Sequence, residues 1–253
     1  MQCPKIKKLI YIYIEKILAL LTDRIIAISP FEKKSALKYK ICKENKIVVI
    51  NNGIDTKKYI SNEYRLKKCE LGIDDDTYVV GMVGRLSKQK APDIFVKASE
   101  LIEKEIEKVF FIIVGDGEEK LEIEKMINDR KLTEKFLVTG WIDNPYDYIN
   151  LFDQALLLSR WEGFGLVLAE YMLMKKPIVA TAVDAIPDLI EDKENGYLVE
   201  IDNYEMVANN VIALYKNEEE RLRISENGFN KVNELYKIER VVSEHLVLYN
   251  DLL

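Results

Sequence analysis

Two glutamates on either side of a glycine-rich turn form the most informative segment of the sequence. Glu162 precedes the turn, and Glu170 lies seven residues further along on a predicted helix. A carboxylate can accept two hydrogen bonds from a vicinal diol, so this pair suits an elongated ligand that contains sugar rings. The helix start would also direct backbone N–H groups at an anionic or hydroxylated ligand. Those groups belong to Phe164, Gly165 and Leu166. The alternative is that both glutamates are exposed charges, as most isolated glutamates are.

A basic loop follows an earlier predicted strand and runs from Gly84 to Lys90. The planar guanidinium of Arg85 suits bidentate contact with phosphate, and Lys90 can place a point charge on the same diphosphate. Gly84 would let the backbone approach a ligand closely. The Gly-Lys-Ser/Thr ending of a Walker loop is absent. A solvated surface turn is the alternative interpretation.

Several other chemistries are excluded by composition. The single histidine, His245, rules out His-based triads and multi-His metal sites. The three cysteines, Cys3, Cys42 and Cys69, are too far apart for a Cys-ligated zinc site. The acidic run at residues 74–76 precedes a predicted strand, so we interpret it as an exposed turn rather than a metal-binding triplet. We therefore expect no metal site.

The candidate segments are positioned by a predicted doubly wound α/β sheet. Beyond residue 77, short apolar runs alternate with amphipathic helices, and ligands bind at the carboxyl ends of strands in such sheets. The predicted strands are 78–83, 109–114, 136–139, 155–159, 177–181 and 197–199. The predicted helices are 92–104, 118–130, 166–175 and 186–191, followed by a tail at 203–252 in three helical segments broken near Asn217 and Lys237.

The beginning of the chain has a different organisation. It predicts two αβ units, with helices at 5–21 and 31–39 and strands at 25–28 and 46–50. A parallel sheet of two strands cannot bury both faces, so we expect the rest of this domain to be missing upstream. The Asn- and Gly-containing turn at 51–55 is the best candidate for a crossing between domains. We predict a domain remnant at 1–52, a linker at 53–60, a ligand-binding domain at 61–235 and a C-terminal helix at 236–253.

The net charge of −6 conceals an asymmetry along the chain. Residues 1–60 carry 13 Lys and Arg against 5 Asp and Glu, so the remainder is strongly acidic. We expect no nucleic-acid partner. The Lys-rich start could touch an anionic membrane, and a solvated helix face is the alternative. The longest apolar run, 9–14, is too short to span a bilayer. We expect a cytoplasmic protein, with peripheral contact at the inner face of the membrane left open.

The double-glutamate segment resembles the signature of retaining GT-B glycosyltransferases, specifically glycosyltransferase family 4. Other motifs occur in the matching order over about residues 20–235, and they lie at 52–55, 84–90, 115–117, 140–142 and 176–181. The resemblance implies a GT-B fold with a C-terminal Rossmann-like domain that binds a nucleotide-sugar donor. It also implies that residues 1–52 are the end of an N-terminal domain that supplies the acceptor pocket.

The resemblance also implies a role for each matching residue. Arg85 and Lys90 would neutralise the donor diphosphate, and Glu162 would hold the donor sugar together with the amides at the helix start. Glu170 would bind the ribose diol, and Ile142 would contact the base through its backbone. The implied catalytic residues are Arg85, Lys90 and Glu162, and no cofactor or metal is required. The implied donor-binding residues are Gly84, Arg85, Lys90, Ile142, Glu162, Phe164, Gly165, Leu166 and Glu170.

The chain departs from the family pattern at three points. Ala91 stands where a glycine is usual, and Asp184 and Ala185 replace a common glycine pair. The resemblance also implies that the N-terminal domain is represented only by its last two αβ units. We expect a glycosyltransferase that uses a UDP- or GDP-sugar in a polysaccharide, lipopolysaccharide or glycolipid pathway. The alternative is a nucleotide-sugar-binding module without independent activity, either a remnant or a subunit completed by a separate acceptor-binding chain. An unrelated doubly wound binding protein is a third possibility. Trp141 and Tyr146 either flank the base or pack in the core or rim.

Overall fold

The computed structural model describes residues 5–56, 59 and 64–253, with the side chains of residues 5 and 6 left out. Cys3, the first four residues of the predicted remnant and residues 57, 58 and 60 of the predicted linker lie outside the described residues. The chain divides into two compact units. One comprises Met1–Asp55 together with Glu234–Leu253, and the other comprises Thr56–Asn233.

The helices and strands alternate along most of the chain. In chain order they are α1 (Lys5–Leu20), β1 (Ile25–Ala27), α2 (Pro30–Lys38), β2 (Ile47–Val49), β3 (Tyr78–Val83), α3 (Pro92–Glu105), β4 (Val109–Val114), α4 (Lys120–Asp129), β5 (Phe136–Val138), α5 (Tyr146–Leu151), β6 (Gln154–Leu157), α6 (Leu166–Leu173), β7 (Ile178–Thr181), α7 (Ile186–Leu189), β8 (Tyr197–Val199), α8 (Tyr204–Lys216), α9 (Glu218–Leu235) and α10 (Ile238–Asn250). Short 3-10 helices lie at Glu44–Lys46, Lys68–Leu71 and Thr133–Lys135.

The smaller unit contains the two predicted αβ units. β1 and β2 pair in parallel, with Ile25 opposite Ile47. The N-terminus of α2 is capped by the Ser29 hydroxyl, which accepts a hydrogen bond from the Glu32 N–H over 3.1 Å. α1 is apolar but exposed, and Ala19 is the one buried residue among its described side chains. Within the described range, none of the helices is both long and apolar enough to cross a membrane.

The larger unit is built on a six-stranded parallel sheet with the strand order β5-β4-β3-β6-β7-β8. The predicted doubly wound sheet is therefore confirmed. β3 lies inside the sheet and pairs with both β4 and β6. The strand order reverses between β3 and β6, and ligands bind beyond the carboxyl ends of strands at such a point. Glycine is required in β3, because a Cβ atom on Gly81 would lie 2.2 Å from the ring of Phe152.

The predicted element boundaries differ from the structure in a few places. β6 ends at Leu157 rather than at 159, α4 begins at Lys120 rather than at 118, and α6 and α7 end two residues early. The prediction also missed α5. This helix has only six residues, Tyr146–Leu151, and a segment that short does not establish a 3.6-residue apolar period. The three tail helices were predicted with breaks at the observed positions.

A half-buried lysine, Lys176, precedes β7 and provides a test of the fold. The Lys176 ammonium donates to the Asn150 carbonyl over 2.8 Å. Burial lowers the pKa of Lys176 to about 8, Asp153 opposes this shift, and Lys68 adds to it. The folded chain therefore releases this proton near pH 8, whereas the unfolded chain keeps it until about pH 10.5. Protonated Lys176 therefore destabilises the folded state, and its deprotonation removes that cost.

We predict that the free energy of unfolding of the wild-type protein rises relative to that of the Lys176→Met variant as the pH increases from 8 to 10. Between the two pKa values only the unfolded state holds the proton, so the slope is up to about 1.4 kcal/mol per pH unit. Urea unfolding of both proteins at several pH values measures this difference. The exposed neighbour Lys175 gives a matched control, and Lys175→Met should not show the same rise. A stability difference that stays constant with pH would contradict the assignment.

Candidate functional site

Two loops meet beyond the carboxyl ends of β3 and β6, where the strand order reverses. They are joined through their backbones, because the Arg160 N–H donates to the Gln89 carbonyl over 2.8 Å. The Gln89 side-chain amide returns a bond of 3.0 Å to the carbonyl of Trp161. The basic loop at 84–90 and the double-glutamate segment therefore lie side by side, although they are more than 70 residues apart in sequence.

Arg160 fixes the same junction with its side chain. One terminal nitrogen contacts both carboxylate oxygens of Asp93, at 3.0 and 2.8 Å, and the other donates to the Lys88 carbonyl at 2.9 Å. Its Nε atom donates to Asp202 at 2.6 Å. The planar guanidinium suits this arrangement because it presents several donors in fixed directions. No sequence pattern indicated this role for Arg160, because its partners are 42 or more residues away along the chain.

Lys90 and Glu162 form an ion pair at the centre of this junction. The exposed fractions of their side chains are only 19% and 10%. The Ser159 hydroxyl donates to the same Glu162 oxygen over 2.9 Å, and the Gly163 N–H donates to the other oxygen over 3.2 Å. The Glu162 carboxylate is therefore fixed by an ion pair and two further hydrogen bonds. The alternative interpretation, that Glu162 is a solvated charge on a loop, is wrong. Charge-assisted bonds of this kind are stronger than neutral ones.

Asp184 also holds Glu162, from the loop after β7. Its carboxylate accepts a hydrogen bond of 2.9 Å from the Glu162 backbone N–H. The backbone of Asp184 is left-handed, with φ of 47°, a conformation that glycine favours and that Asp and Asn tolerate better than other residues. The departure from a glycine pair therefore adds a hydrogen bond to Glu162. Ala91, the other departure, is also left-handed, with φ of 51°, and is fully buried.

Arg85 lies in the same loop as Lys90 but has a different partner. Its side chain is 71% exposed, and its Nε atom pairs with Glu118 at 3.0 Å.

The backbone at Gly84 is approached closely by the neighbouring loop. The residue that has to be a glycine, however, is Gly115 in that loop rather than Gly84. A Cβ on Gly115 would lie 2.0 Å from the Gly84 carbonyl oxygen, whereas one on Gly84 would make ordinary contacts of 3.5 Å with Lys90.

The glycine-rich turn leads into α6 as predicted. Gly165 caps the helix with φ of +75°, and a Cβ there would lie 2.9 Å from the side chain of Ile186. Phe164 is buried and Leu166 is exposed. The first N–H groups of a helix have no partner within the helix, so the amides of these residues lie at its electropositive end.

Glu170 is half-buried on α6 and contacts Tyr59, which in turn contacts Tyr146. The Tyr59 hydroxyl lies 3.1 Å from a Glu170 carboxylate oxygen and 3.0 Å from the Tyr146 hydroxyl. The next residue, Tyr171, anchors α6 to the sheet, because its buried hydroxyl accepts from the Val83 N–H at the end of β3 over 2.7 Å. Burial raises the pKa of Tyr171, so its phenol stays protonated.

The loop after β5 contains the residues predicted to lie near the base. Ile142 is half-buried there. Trp141 is 77% exposed, and its indole N–H donates to Asp143 over 3.0 Å. Tyr146 packs edge-on against Tyr59, with ring centroids 4.8 Å apart. Among the described residues, no group of three or more His, Cys, Asp or Glu side chains could hold a metal ion.

Comparison with protein families identifies two models along the chain. The model described as "Glycosyl transferases group 1" matches residues 64–231. The model described as "Glycosyltransferase Family 4" matches residues 3–58. The first covers more than half of the chain and includes all of the donor-binding residues predicted from the sequence.

Three known proteins show the extent of the similarity. The chain is 31% identical to N-acetyl-alpha-D-glucosaminyl L-malate synthase of Bacillus anthracis, over 85% of this chain and 56% of that protein. It is 29% identical to UDP-Gal:alpha-D-GlcNAc-diphosphoundecaprenol alpha-1,3-galactosyltransferase of Escherichia coli, over 97% and 64% respectively. A crystal structure of a mutant of TarM from S. aureus, in complex with fondaparinux, alpha-GlcNAc-glycerol and UDP, matches with a TM-score of 0.79 and 26% identity, over 94% of this chain and 46% of that one. The chain thus spans between about half and two thirds of the length of these proteins.

The contact between Asp184 and Glu162 can be tested by three substitutions at residue 184. Asp184→Asn keeps an acceptor oxygen and tolerates the left-handed backbone, so it should change the free energy of unfolding least. Asp184→Ala loses the acceptor and strains the backbone, and it should lower stability by about 1–3 kcal/mol. Asp184→Gly loses only the acceptor and should lie between them. Urea unfolding measures all three, and equal stability of the Ala and Asn variants would show that the contact is unimportant.

Proposed function

The chain belongs to the glycosyl transferases group 1 family, and from this premise we propose that it transfers a sugar from a UDP- or GDP-sugar to a polysaccharide, lipopolysaccharide or glycolipid acceptor. The observation that carries the proposal is the Lys90–Glu162 ion pair, which lies where the sheet order reverses. A related galactosyltransferase acts on a diphosphoundecaprenol-linked sugar, and the related TarM structure contains UDP. Both names favour a nucleotide-sugar donor for this chain.

The donor diphosphate is proposed to bind against Lys90 and Arg85. In the reaction the bond between the sugar carbon and the diphosphate oxygen breaks, and the diphosphate takes the electron pair. The acceptor hydroxyl oxygen forms the new bond to that carbon, and its proton passes to the departing diphosphate. Lys90, Arg85 and the amides at the start of α6 stabilise the negative charge that develops on the leaving phosphate. Because these groups supply the positive charge, we propose that no metal cofactor is needed.

The remaining donor contacts follow from the positions of the two glutamates. Glu162 would contact the donor sugar, since its carboxylate is held beside Lys90 and therefore beside the diphosphate. Glu170 would accept hydrogen bonds from the ribose diol. Ile142 would contact the base through its backbone, and Gly84 would lie against the donor at the start of the basic loop. As the family resemblance implies, we propose that transfer retains the anomeric configuration.

Arg85 is proposed to exchange its present partner for phosphate. Its bond to Glu118 joins two side chains that are both more than half exposed. Exposed ion pairs contribute about 0–1 kcal/mol, so this one presents little resistance to exchange. The Lys90–Glu162 pair is more shielded, and it would keep Lys90 oriented until the diphosphate arrives.

The second candidate function is a nucleotide-sugar-binding module whose acceptor site comes from a separate chain. The exposed apolar side chains of α1, which include Leu9, Tyr13 and Leu20, favour it because a helix of this kind is normally covered. An anionic membrane surface is another proposed neighbour of α1, since Lys7 and Lys8 lie on the same helix. Such a contact would place the protein at the inner face of the membrane, close to a lipid-linked acceptor.

Removal of the shielded cation tests the catalytic assignment. Lys90→Ala should lower kcat about 100- to 1000-fold, because it removes one fixed group that stabilises the leaving diphosphate. The release of UDP or GDP from the nucleotide-sugar donor measures this rate. Lys88→Ala is the matched control, because its side chain is exposed in the same loop, and it should retain wild-type turnover. Full activity of Lys90→Ala would refute the proposed role.

The two candidate functions differ in what the purified chain does by itself. We expect it to bind UDP or GDP and to transfer sugar to an added acceptor lipid or oligosaccharide. Isothermal titration calorimetry measures the binding, and a radiolabelled-sugar assay measures the transfer. Binding without transfer, with activity restored by a second chain that carries an acceptor domain, would favour the module. Transfer by the chain alone would reject that alternative.

A further inference from the structure

Three side chains from separate segments form one hydrogen-bonded chain in the larger unit. Tyr59 comes from the predicted linker, Tyr146 from the first turn of α5, and Glu170 from α6. The Tyr59 hydroxyl lies between the other two, at 3.0 Å from Tyr146 and 3.1 Å from Glu170. Tyr59 is 7% exposed, so the chain is shielded from solvent at its middle member.

The direction of the two hydrogen bonds follows from the chemistry of the end group. An ionised carboxylate only accepts hydrogen bonds, so the Tyr59 hydroxyl must donate its single proton to Glu170. The Tyr59 oxygen can then only accept from Tyr146, which donates. Hydrogen bonds aligned in one direction polarise and strengthen one another. Burial is the main reason why the pKa of Tyr59 is raised, with the Tyr146 bond and the Glu170 charge adding to it, so its phenol remains a donor.

We propose that Tyr59 is a positioning residue that orients the Glu170 carboxylate for the ribose diol, and that Tyr146 holds Tyr59 in place. This inference rests on the proposed function, because it takes the contact of Glu170 with ribose as given. The Tyr171 hydroxyl fixes the backbone of α6 against β3. That bond fixes the backbone of the helix, whereas the Tyr59 hydroxyl contacts the Glu170 carboxylate itself.

The expected benefit is pre-organisation of the carboxylate. A glutamate side chain has three rotatable bonds, and ordering it when a ligand binds reduces the affinity. The Tyr59 bond orders it before the ligand arrives. Loss of the Tyr59 hydroxyl should therefore weaken binding without removing the ribose contact.

The test compares two ligands that differ only in the diol. Isothermal titration calorimetry of the full chain uses UDP and 2′,3′-dideoxy-UDP, or the GDP pair if the protein prefers guanine. Tyr59→Phe keeps the ring and removes the hydroxyl. We expect it to weaken UDP binding about three- to tenfold and to leave dideoxy-UDP binding almost unchanged. Tyr146→Phe should weaken UDP binding by a smaller factor in the same direction.

A matched control comes from another tyrosine–glutamate pair of the larger unit. The Tyr197 hydroxyl bonds to Glu220 over 3.2 Å, so Tyr197→Phe also removes a tyrosine–glutamate hydrogen bond. It should leave the affinity for both ligands unchanged. Equal weakening of UDP and dideoxy-UDP binding by Tyr59→Phe would show a general packing role and overturn the inference. So would an unchanged UDP affinity in both the Tyr59→Phe and Tyr146→Phe variants.

Glu170→Ala separates a failure of the inference from a failure of the proposed function. If Glu170 binds the ribose, Glu170→Ala should abolish the preference for UDP over dideoxy-UDP, and adding Tyr59→Phe should then have no further effect. Additive losses in the double variant would overturn only the role of Tyr59. Glu170→Ala with an intact preference would refute the ribose contact itself, and a wild-type chain that binds neither UDP nor GDP would refute the donor site.

Discussion

The candidate site depends on one shielded ion pair, between Lys90 and Glu162, which joins the loop after β3 to the loop after β6. Shielding two charged groups from water costs free energy unless the groups pair with each other and are hydrogen-bonded. That condition explains the surrounding contacts. Ser159 bonds to the Glu162 carboxylate, and Asp184 bonds to the Glu162 backbone. The geometry of a proposed diphosphate site is therefore fixed by the need to satisfy a buried carboxylate.

The two glutamates of the signature are held by different means. Glu162 is fixed by a cation and by loops of the sheet, whereas Glu170 contacts the neutral phenol of Tyr59. This difference fits the roles proposed for them, with Glu162 at the donor sugar and Glu170 at the ribose. A carboxylate beside a lysine lies next to the diphosphate and the donor sugar, where charge develops during transfer. A carboxylate that accepts a hydrogen bond from a neutral phenol is suited to the uncharged diol of the nucleoside.

Much of the fold was predictable because strands and helices of sufficient length show their period in the sequence. β3, β4 and β8 were predicted at their observed bounds, and the paired strands β1 and β2 were also foreseen. The short helix α5 was not, since six residues carry too little periodic signal. The candidate residues Lys90 and Glu162 were recognised as chemical groups from their motifs. The sequence could not show that they form a pair, because the bond joins residues 72 positions apart.

The sequence by itself determined the alternation of strands and helices, the chemical types at the strand ends, and the family resemblance, because these depend on local order and spacing. Tertiary structure alone decided the partners of each group: Arg85 with Glu118, Asp184 with Glu162, and Tyr59 with Glu170. A hydrogen bond depends on distances of about 3 Å in space. Such distances arise only once the parallel sheet brings loops from distant parts of the chain to the same edge.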